Sequence, residues 1–124
     1  MPYVTISASS SFTAEQKKQL LQRSSDAVVD SIGAPLASVR VMLHELSPGQ
    51  FLNAGQFDTL GVMFVVELIE GRTEELKAAL IRSLSRVGYE ATGLSESEVR
   101  VRIIDYPKEN MGMAGGVSAS AMGR

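Results

Sequence analysis

The chain has 124 residues, of which 44% are hydrophobic and 21% charged, a composition typical of one compact globular unit. A net charge of −2 provides no basic surface for a nucleic acid or an anionic membrane, and neither partner is expected. The absence of cysteine and the single histidine exclude disulfides, thiolate chemistry and a multi-histidine metal site within one chain.

The first notable residue is Pro2, directly after the initiator methionine. Removal of that methionine would leave a free proline, whose secondary amine can act as a base without a cofactor. An α-amino group has a reference pKa of about 7.7–8.0, so a modest shift brings it close to neutrality. Pro2 is therefore a candidate general base, although taken alone it is equally the residue that follows a start codon.

The first half of the chain predicts a strand, a helix and a second strand. Apolar residues alternate over residues 3–8 and again over residues 39–43, as they do in half-buried strands, and the second of these strands should end before Ser47. Between them, Thr13 and Gln16 have the spacing of a capping box, and the helix that they begin should end at Gly33.

The second half predicts the same order of elements. Residues 62–69 form an apolar run of strand length, which is too short to cross a membrane, and the cytoplasm is the expected location. Thr73 can cap a helix that ends near Gly93, and residues 99–103 alternate as a last strand.

The two halves align at a constant offset of sixty residues without a gap. The matches fall at helix caps, helix ends and strand centres: Thr13 with Thr73, Lys17 with Lys77, Leu20 with Leu80, Gly33 with Gly93, and Arg40 with Arg100. We therefore predict a duplication into two β-α-β units, residues 2–60 and 61–124.

This duplication predicts an α/β (α+β) fold, a four-stranded sheet with two helices on one face. A strand–helix–strand unit joins parallel strands by a right-handed crossover, so both helices cover the same side. The other face would be bare, and a domain of this size cannot leave it in water. Obligate self-association through that face is expected.

Four segments resemble the tautomerase superfamily, and specifically its 4-oxalocrotonate tautomerase branch. They are Ile69-Glu70-Gly71-Arg72-Thr73, the run over residues 34–41, the loop over residues 48–51 and the glycine-rich stretch over residues 108–116. That family consists of β-α-β units of about sixty residues that begin with a catalytic proline. The resemblance covers nearly the whole chain and implies a fused, double-length, cofactor-free isomerase that forms a homotrimer.

The resemblance also implies roles for five residues. Pro2 would be the general base, Arg40 would bind a substrate carboxylate or polarise a carbonyl, and Arg72 would hold a remote carboxylate. Phe51 matches the apolar wall of the family's site, and Arg100 repeats Arg40 in the second half. The alternatives are an ion pair between subunits for Arg40, a solvated helix-start position for Arg72, and a core or interface position for Phe51. Arg100 would either contact substrate or line a vestigial site.

Each half lacks part of the family's site. Phe12 stands where the second half has its site arginine, and Val62 stands where the first half has its proline. A complete site would therefore need both halves, and each chain would provide one working base. The acids that family dehalogenases use to activate water have no clear match, with Glu45, Asp105 and Glu109 as weak candidates.

The function expected from these residues is keto–enol tautomerisation of a small unsaturated 2-oxo or 2-hydroxy acid, particularly a dicarboxylate. One alternative within the superfamily is dehalogenation, hydration or decarboxylation with a protonated Pro2. The other is a trimeric binding protein that keeps the fold without significant turnover. The tail from Met111 to Arg124 would form a hairpin against a neighbouring subunit or be disordered at its end.

Overall fold

The computed structural model describes residues 1–124 and has two helices, one four-stranded sheet and two small hairpins. The sheet consists of β1 (Tyr3–Ser9), β2 (Arg40–Leu46), β5 (Val62–Ile69) and β6 (Val99–Tyr106). The helices are α1 (Ala14–Ile32) and α2 (Glu74–Thr92). The hairpins are β3 (Leu52–Asn53) with β4 (Gln56–Phe57), and β7 (Gly112–Met113) with β8 (Val117–Ser118).

The order of the strands across the sheet is β2-β1-β5-β6. Within each unit the two strands are parallel, β1 with β2 and β5 with β6, while β1 and β5 meet antiparallel at the centre. Tyr3 lies opposite Glu67, and Ala8 lies opposite Val62. The predicted duplicated β-α-β fold is confirmed, and its two first strands run in opposite directions from the middle of one sheet.

The ends of both helices follow from local side-chain chemistry. The Thr13 hydroxyl accepts a hydrogen bond from the Gln16 amide at 3.1 Å, and the Gln16 side chain accepts one from the Thr13 amide at 2.8 Å. At α2 the Thr73 hydroxyl accepts a hydrogen bond from the Leu76 amide at 3.2 Å, without the reciprocal bond that Gln16 provides. Both helices end at a glycine in the left-handed conformation, with φ of 68° at Gly33 and 77° at Gly93. The predicted caps and stops are confirmed.

One face of the sheet and both helices enclose a single hydrophobic core. Every second residue of β1 and β5 points into it, and α1 and α2 supply the opposing side chains. The core strand residues are Val4, Ile6, Ala8, Val62, Phe64, Val66 and Leu68, and the helix residues are Leu20, Val28, Leu80, Leu84 and Val87. Gly88 allows α2 to approach β6 closely, because a Cβ there would lie 2.6 Å from the Val99 side chain.

The second strand of the first unit ends at Leu46, before Ser47 as predicted, whereas that of the second unit reaches Tyr106, beyond the predicted alternation over residues 99–103. The two strands include Glu45 and Asp105 at positions to which a hydrophobic pattern does not assign an acid. In the structure Glu45 forms an ion pair with Lys17 of α1 at 2.5 Å, and Asp105 pairs with Lys77 of α2 in the equivalent way. Each acid forms an ion pair with the helix of its own unit, and this pairing allows the strand to continue past it.

The opposite face of the sheet carries no helix and includes large apolar side chains. Met42 is 50% exposed and Ile104 is 45% exposed, on the two outer strands. Arg40, Arg100 and Arg102 lie on the same face. Neither helix of the chain has the length and hydropathy that a bilayer-spanning segment requires.

Candidate functional site

The N-terminal residues lie at the end of the sheet where β1 begins and β5 ends. Pro2 is fully buried, and the Arg40 amide donates a hydrogen bond of 3.1 Å to the Pro2 carbonyl oxygen. Met1 and Tyr3 line a cleft of about 600 Å³, within the range of small-molecule sites. The rest of the lining comes from residues 35–40, residues 112–114 and Arg124. Loss of Met1 would open the Pro2 nitrogen to the space that Met1 occupies.

Arg40 is held at this cleft by the turn that precedes β2. Its Nη1 donates to the carbonyl oxygens of Ala37 at 2.8 Å and Val39 at 3.1 Å. The residue is exposed, and none of the ion pairs of the chain involves it. An arginine positioned by carbonyl groups, with no carboxylate partner, is available to bind an anion.

Arg72 reaches the same end of the sheet from the second half of the chain. It follows β5, and because β5 is antiparallel to β1, the end of β5 lies beside the start of β1. The side chain is half-buried, its Nη1 donates to the Ile69 carbonyl oxygen at 3.2 Å, and it has no carboxylate partner. The topology therefore brings Pro2, Arg40 and Arg72 to one end of one chain.

The environment of this end disfavours a protonated amine. The pKa of the Met1 α-amino group is lowered from its ordinary value, first by burial and then by the positive charges of Arg124, Arg40 and Arg72. No acidic side chain lines the cleft to offset these charges. An amine in this position remains neutral, and so available as a base, at a lower pH than an exposed one.

The structure does not bring Phe51 and Arg100 to Pro2 within the chain. Both line a second, smaller pocket of about 80 Å³ together with Gly61 and Met63. A Cβ on Gly61 would lie 3.1 Å from the Phe51 ring, so Phe51 packs at the start of β5. That end of the sheet is about 20 Å from Pro2, since six strand residues rise about 3.3 Å each.

The hairpin that lines the cleft at Pro2 is the second one, β7 with β8, and not the first, β3 with β4. Gly112, Met113 and Ala114 contribute to its lining, and Met111, which corresponds to Phe51 in the repeat, is buried beside them. The first hairpin belongs to the Val62 end and the second to the Pro2 end. The sequence repeat suggests that each hairpin lies at the start of the first strand of its own unit. Because β1 and β5 are antiparallel, each hairpin lies instead at the start of the first strand of the other unit.

Sequence reasoning did not identify Arg124, which lines the cleft. One signal could have indicated it, because Arg124 is the only charged residue among the last fifteen of the chain. The weak acidic candidates are placed elsewhere: Glu45 and Asp105 are paired with lysines, and Glu109 is exposed in the short turn Lys108–Asn110.

Comparison with known protein families gives a match to each half of the chain. The family described as "Tautomerase enzyme" matches residues 2–57 and again residues 65–121. The 2-hydroxymuconate tautomerase of Comamonas testosteroni is 49% identical over 59 residues, which are 48% of this chain and 92% of that protein. The enzyme of the same name from Pseudomonas putida is 51% identical over 59 residues, with the same coverage.

Solved structures resemble the chain over nearly its whole length. Pt0534 inactivated by 2-oxo-3-pentynoate is 72% identical, with a TM-score of 0.97, and the match covers 98% of this chain and 99% of that one. The Q0 fused 4-OT, a wild-type symmetric trimer, is 43% identical, with a TM-score of 0.94 and the same coverage.

Proposed function

The chain belongs to the tautomerase enzyme family and is an isomerase, and on this premise we propose that it is a cofactor-independent tautomerase of small unsaturated 2-oxo or 2-hydroxy acids. We propose that the substrates are dicarboxylates such as 2-hydroxymuconate, the compound after which the similar tautomerases are named. The observation that carries the proposal is the meeting of the N-terminal residues with Arg40 and Arg72 beside a cleft that contains no acid.

In the proposed reaction Pro2, freed of Met1, is the general base. Its neutral nitrogen takes the proton from the 2-hydroxyl group of the dienol and returns a proton to a carbon of the same conjugated system. The product is the 2-oxo isomer, and no atom is gained or lost. Arg40 and Arg72 bind substrate carboxylates and stabilise the negative charge that develops on the dienolate, a contribution that often lowers a barrier most.

Both units contribute to the proposed site. The first unit, residues 2–60, supplies the base and Arg40, and the second, residues 61–124, supplies Arg72 and the hairpin with Met113. Arg100 and Phe51 would contact the substrate of Pro2 only from a neighbouring chain, because in their own chain they lie at the other end of β5. The Val62 end has no amine and is proposed to be inert as a base.

We propose that the functional assembly is a homotrimer formed through the uncovered sheet face. The Q0 fused 4-OT is described as a trimer, and the large apolar side chains of that face, such as Met42 and Ile104, support burial against further copies. The cytoplasmic location stays a prediction.

Covalent labelling of the base tests this proposal directly. 2-Oxo-3-pentynoate, the reagent that inactivates Pt0534, has a triple bond conjugated to a 2-oxo group, which a free amine can attack. Intact mass spectrometry should show one reagent per chain, located on the peptide that begins with Pro2, and loss of turnover of 2-hydroxymuconate should follow its formation. A Pro2→Ala variant is the matched control for the secondary amine. Labelling at any other residue, or turnover that survives full labelling, would overturn the proposal.

Dehalogenation and hydration have less support in the geometry. Both require an acidic side chain to activate water beside the base, and the lining of the cleft contains none. Parallel assays with 2-hydroxymuconate, phenylenolpyruvate and 3-chloroacrylate separate these reactions. Turnover of 3-chloroacrylate alone would favour the alternative, and a Pro2→Ala variant equal to the wild type in every assay would favour a binding protein.

A further inference from the structure

Arg124 places an additional guanidinium at the cleft beside Pro2. It lines the cleft together with Arg40, Tyr3 and Met113, and it is exposed there. None of the ion pairs of the chain involves the Arg124 guanidinium, and the lining has no acidic side chain that could neutralise it. The lining therefore has two arginines, one from β2 and one from the tail, and both are available to an anion.

Backbone hydrogen bonds hold the tail in this position. The amide of the fully buried Ala119 donates to the Met111 carbonyl oxygen at 2.8 Å, and the Arg124 amide donates to the Ala119 carbonyl oxygen at 3.0 Å. Between them, Gly123 has a φ of 75°, a conformation that L-residues with a side chain rarely adopt. This turn directs the chain back toward the second hairpin, so the tail is part of the folded site.

The electrostatic influence of Arg124 on the N-terminal amine is consistent with this placement. Among the charges that lower the pKa of the Met1 amine, that of Arg124 has the largest effect, ahead of Arg40 and Arg72. Three guanidinium groups without a compensating acidic side chain in the lining favour a ligand with two negative charges over one with a single charge.

Resting on the proposed function, we propose that Arg124 is a specificity-determining residue, whose guanidinium joins that of Arg72 at the carboxylate farther from the reacting carbon and increases the selection of dicarboxylate over monocarboxylate substrates. A monocarboxylate that engages Arg40 leaves the guanidinium groups of Arg72 and Arg124 unpaired. A dicarboxylate provides a second anionic group, and arginine binds such a group with paired, charge-assisted hydrogen bonds.

Equilibrium binding of two unreactive probes tests this inference. trans,trans-Muconate and sorbate share a six-carbon diene skeleton, but the first has two carboxylates and the second has one. Neither has a 2-hydroxyl group to tautomerise, so calorimetry reports binding alone. Arg124→Ala should weaken muconate binding roughly tenfold and change sorbate binding less than about twofold. Arg124→Lys, which keeps the charge but loses the planar fork, should lie between Arg124→Ala and the wild type.

Arg82→Ala is the matched control, since it removes the same charge from an exposed position on α2 and should alter neither affinity. Equal weakening of both probes by Arg124→Ala, no weakening of either, or failure of the wild type to bind muconate would overturn the inference. The proposed function fails by a separate criterion, the absence of Pro2-dependent turnover of 2-hydroxymuconate, which the binding comparison does not use.

Discussion

The Arg40 amide donates its hydrogen bond to the Pro2 carbonyl oxygen at 3.1 Å, so the proposed base and a candidate carboxylate-binding residue are joined through the backbone. The bond is part of the parallel pairing in which Tyr3 lies opposite Arg40. Because Pro2 directly precedes β1 and Arg40 begins the paired strand β2, the distance between the proline ring and the start of the Arg40 side chain is set before any substrate binds. Preorganisation of this kind lowers the cost of orienting groups in a transition state.

Blocking the nitrogen of Pro2 should abolish turnover. An alanine inserted between Met1 and Pro2 converts the amine into an amide, which cannot accept a proton, and kcat/KM for 2-hydroxymuconate should fall at least about 100-fold. Mass spectrometry must first establish that the wild-type chain begins with Pro2. Circular dichroism and gel filtration of the variant check that the fold is intact. Activity retained by a chain with a blocked proline would show that another group is the base.

Arg40→Ala should reduce kcat/KM by about 100-fold, as expected when one charge-stabilising donor is removed. Arg100→Ala should have a much smaller effect, because Arg100 lies at the Val62 end of its own chain, where there is no amine. Steady-state kinetics of the two variants make a matched comparison, since each loses an exposed arginine at the start of a strand. A larger loss for Arg100→Ala would show that a neighbouring chain supplies the arginine of the site.

The pH dependence of kcat/KM should have its acid limb below the ordinary α-amino pKa of about 7.7–8.0. Burial and then Arg124, Arg40 and Arg72 lower the pKa of the Met1 amine, and a Pro2 amine freed by loss of Met1 would lie beside the same charges, so we expect the neutral base to persist to lower pH. Removal of a positive charge stabilises the ammonium form, and the acid limb of Arg124→Ala should therefore move to higher pH. A pH–rate profile of the wild type and this variant gives the comparison, and an unchanged limb would contradict the assigned electrostatics.

Ser24→Ala should stabilise the fold. Ser24 is fully buried in α1, its hydroxyl has no hydrogen-bond partner, and the repeat has Leu84 at the equivalent position. Burying an unpaired hydroxyl costs about 1–3 kcal/mol, and recovery of about 1 kcal/mol on its removal should raise the Tm by roughly 3–6 °C. Calorimetry at equal chain concentration measures the shift, and a lower Tm would indicate that the hydroxyl has a partner.

A charge placed on the uncovered sheet face should prevent assembly. Ile104→Glu replaces an exposed apolar side chain of that face by an acid opposite Glu67, and burying it against another copy would be costly. Light scattering should show a homotrimer for the wild type and smaller species for the variant. The control Ile81→Glu alters a comparably exposed position on α2, on the helical side, and should leave the assembly unchanged. A monomeric wild type would contradict the proposal.

The duplicated fold could be predicted because its signals are local. The capping residues Thr13 and Thr73 and the stops Gly33 and Gly93 act through hydrogen bonds and backbone conformation within a few residues. Strand alternation likewise depends on neighbours two residues apart. The end of β6 was less predictable, because the charged Asp105 follows the alternating apolar residues and pairs with Lys77 of α2.

The sequence by itself determined the two units, the single N-terminal proline, and the division of the arginines between the halves. The tertiary structure decided which of these residues lie at the same end of the sheet. The antiparallel pairing of β1 with β5 carries Arg72 and the second hairpin to Pro2, and carries Phe51 to the other end of the sheet. The same folding brings Arg124 from the far end of the chain to the Pro2 cleft. Proximity of this kind arises from long-range strand pairing, which no local pattern in the sequence encodes.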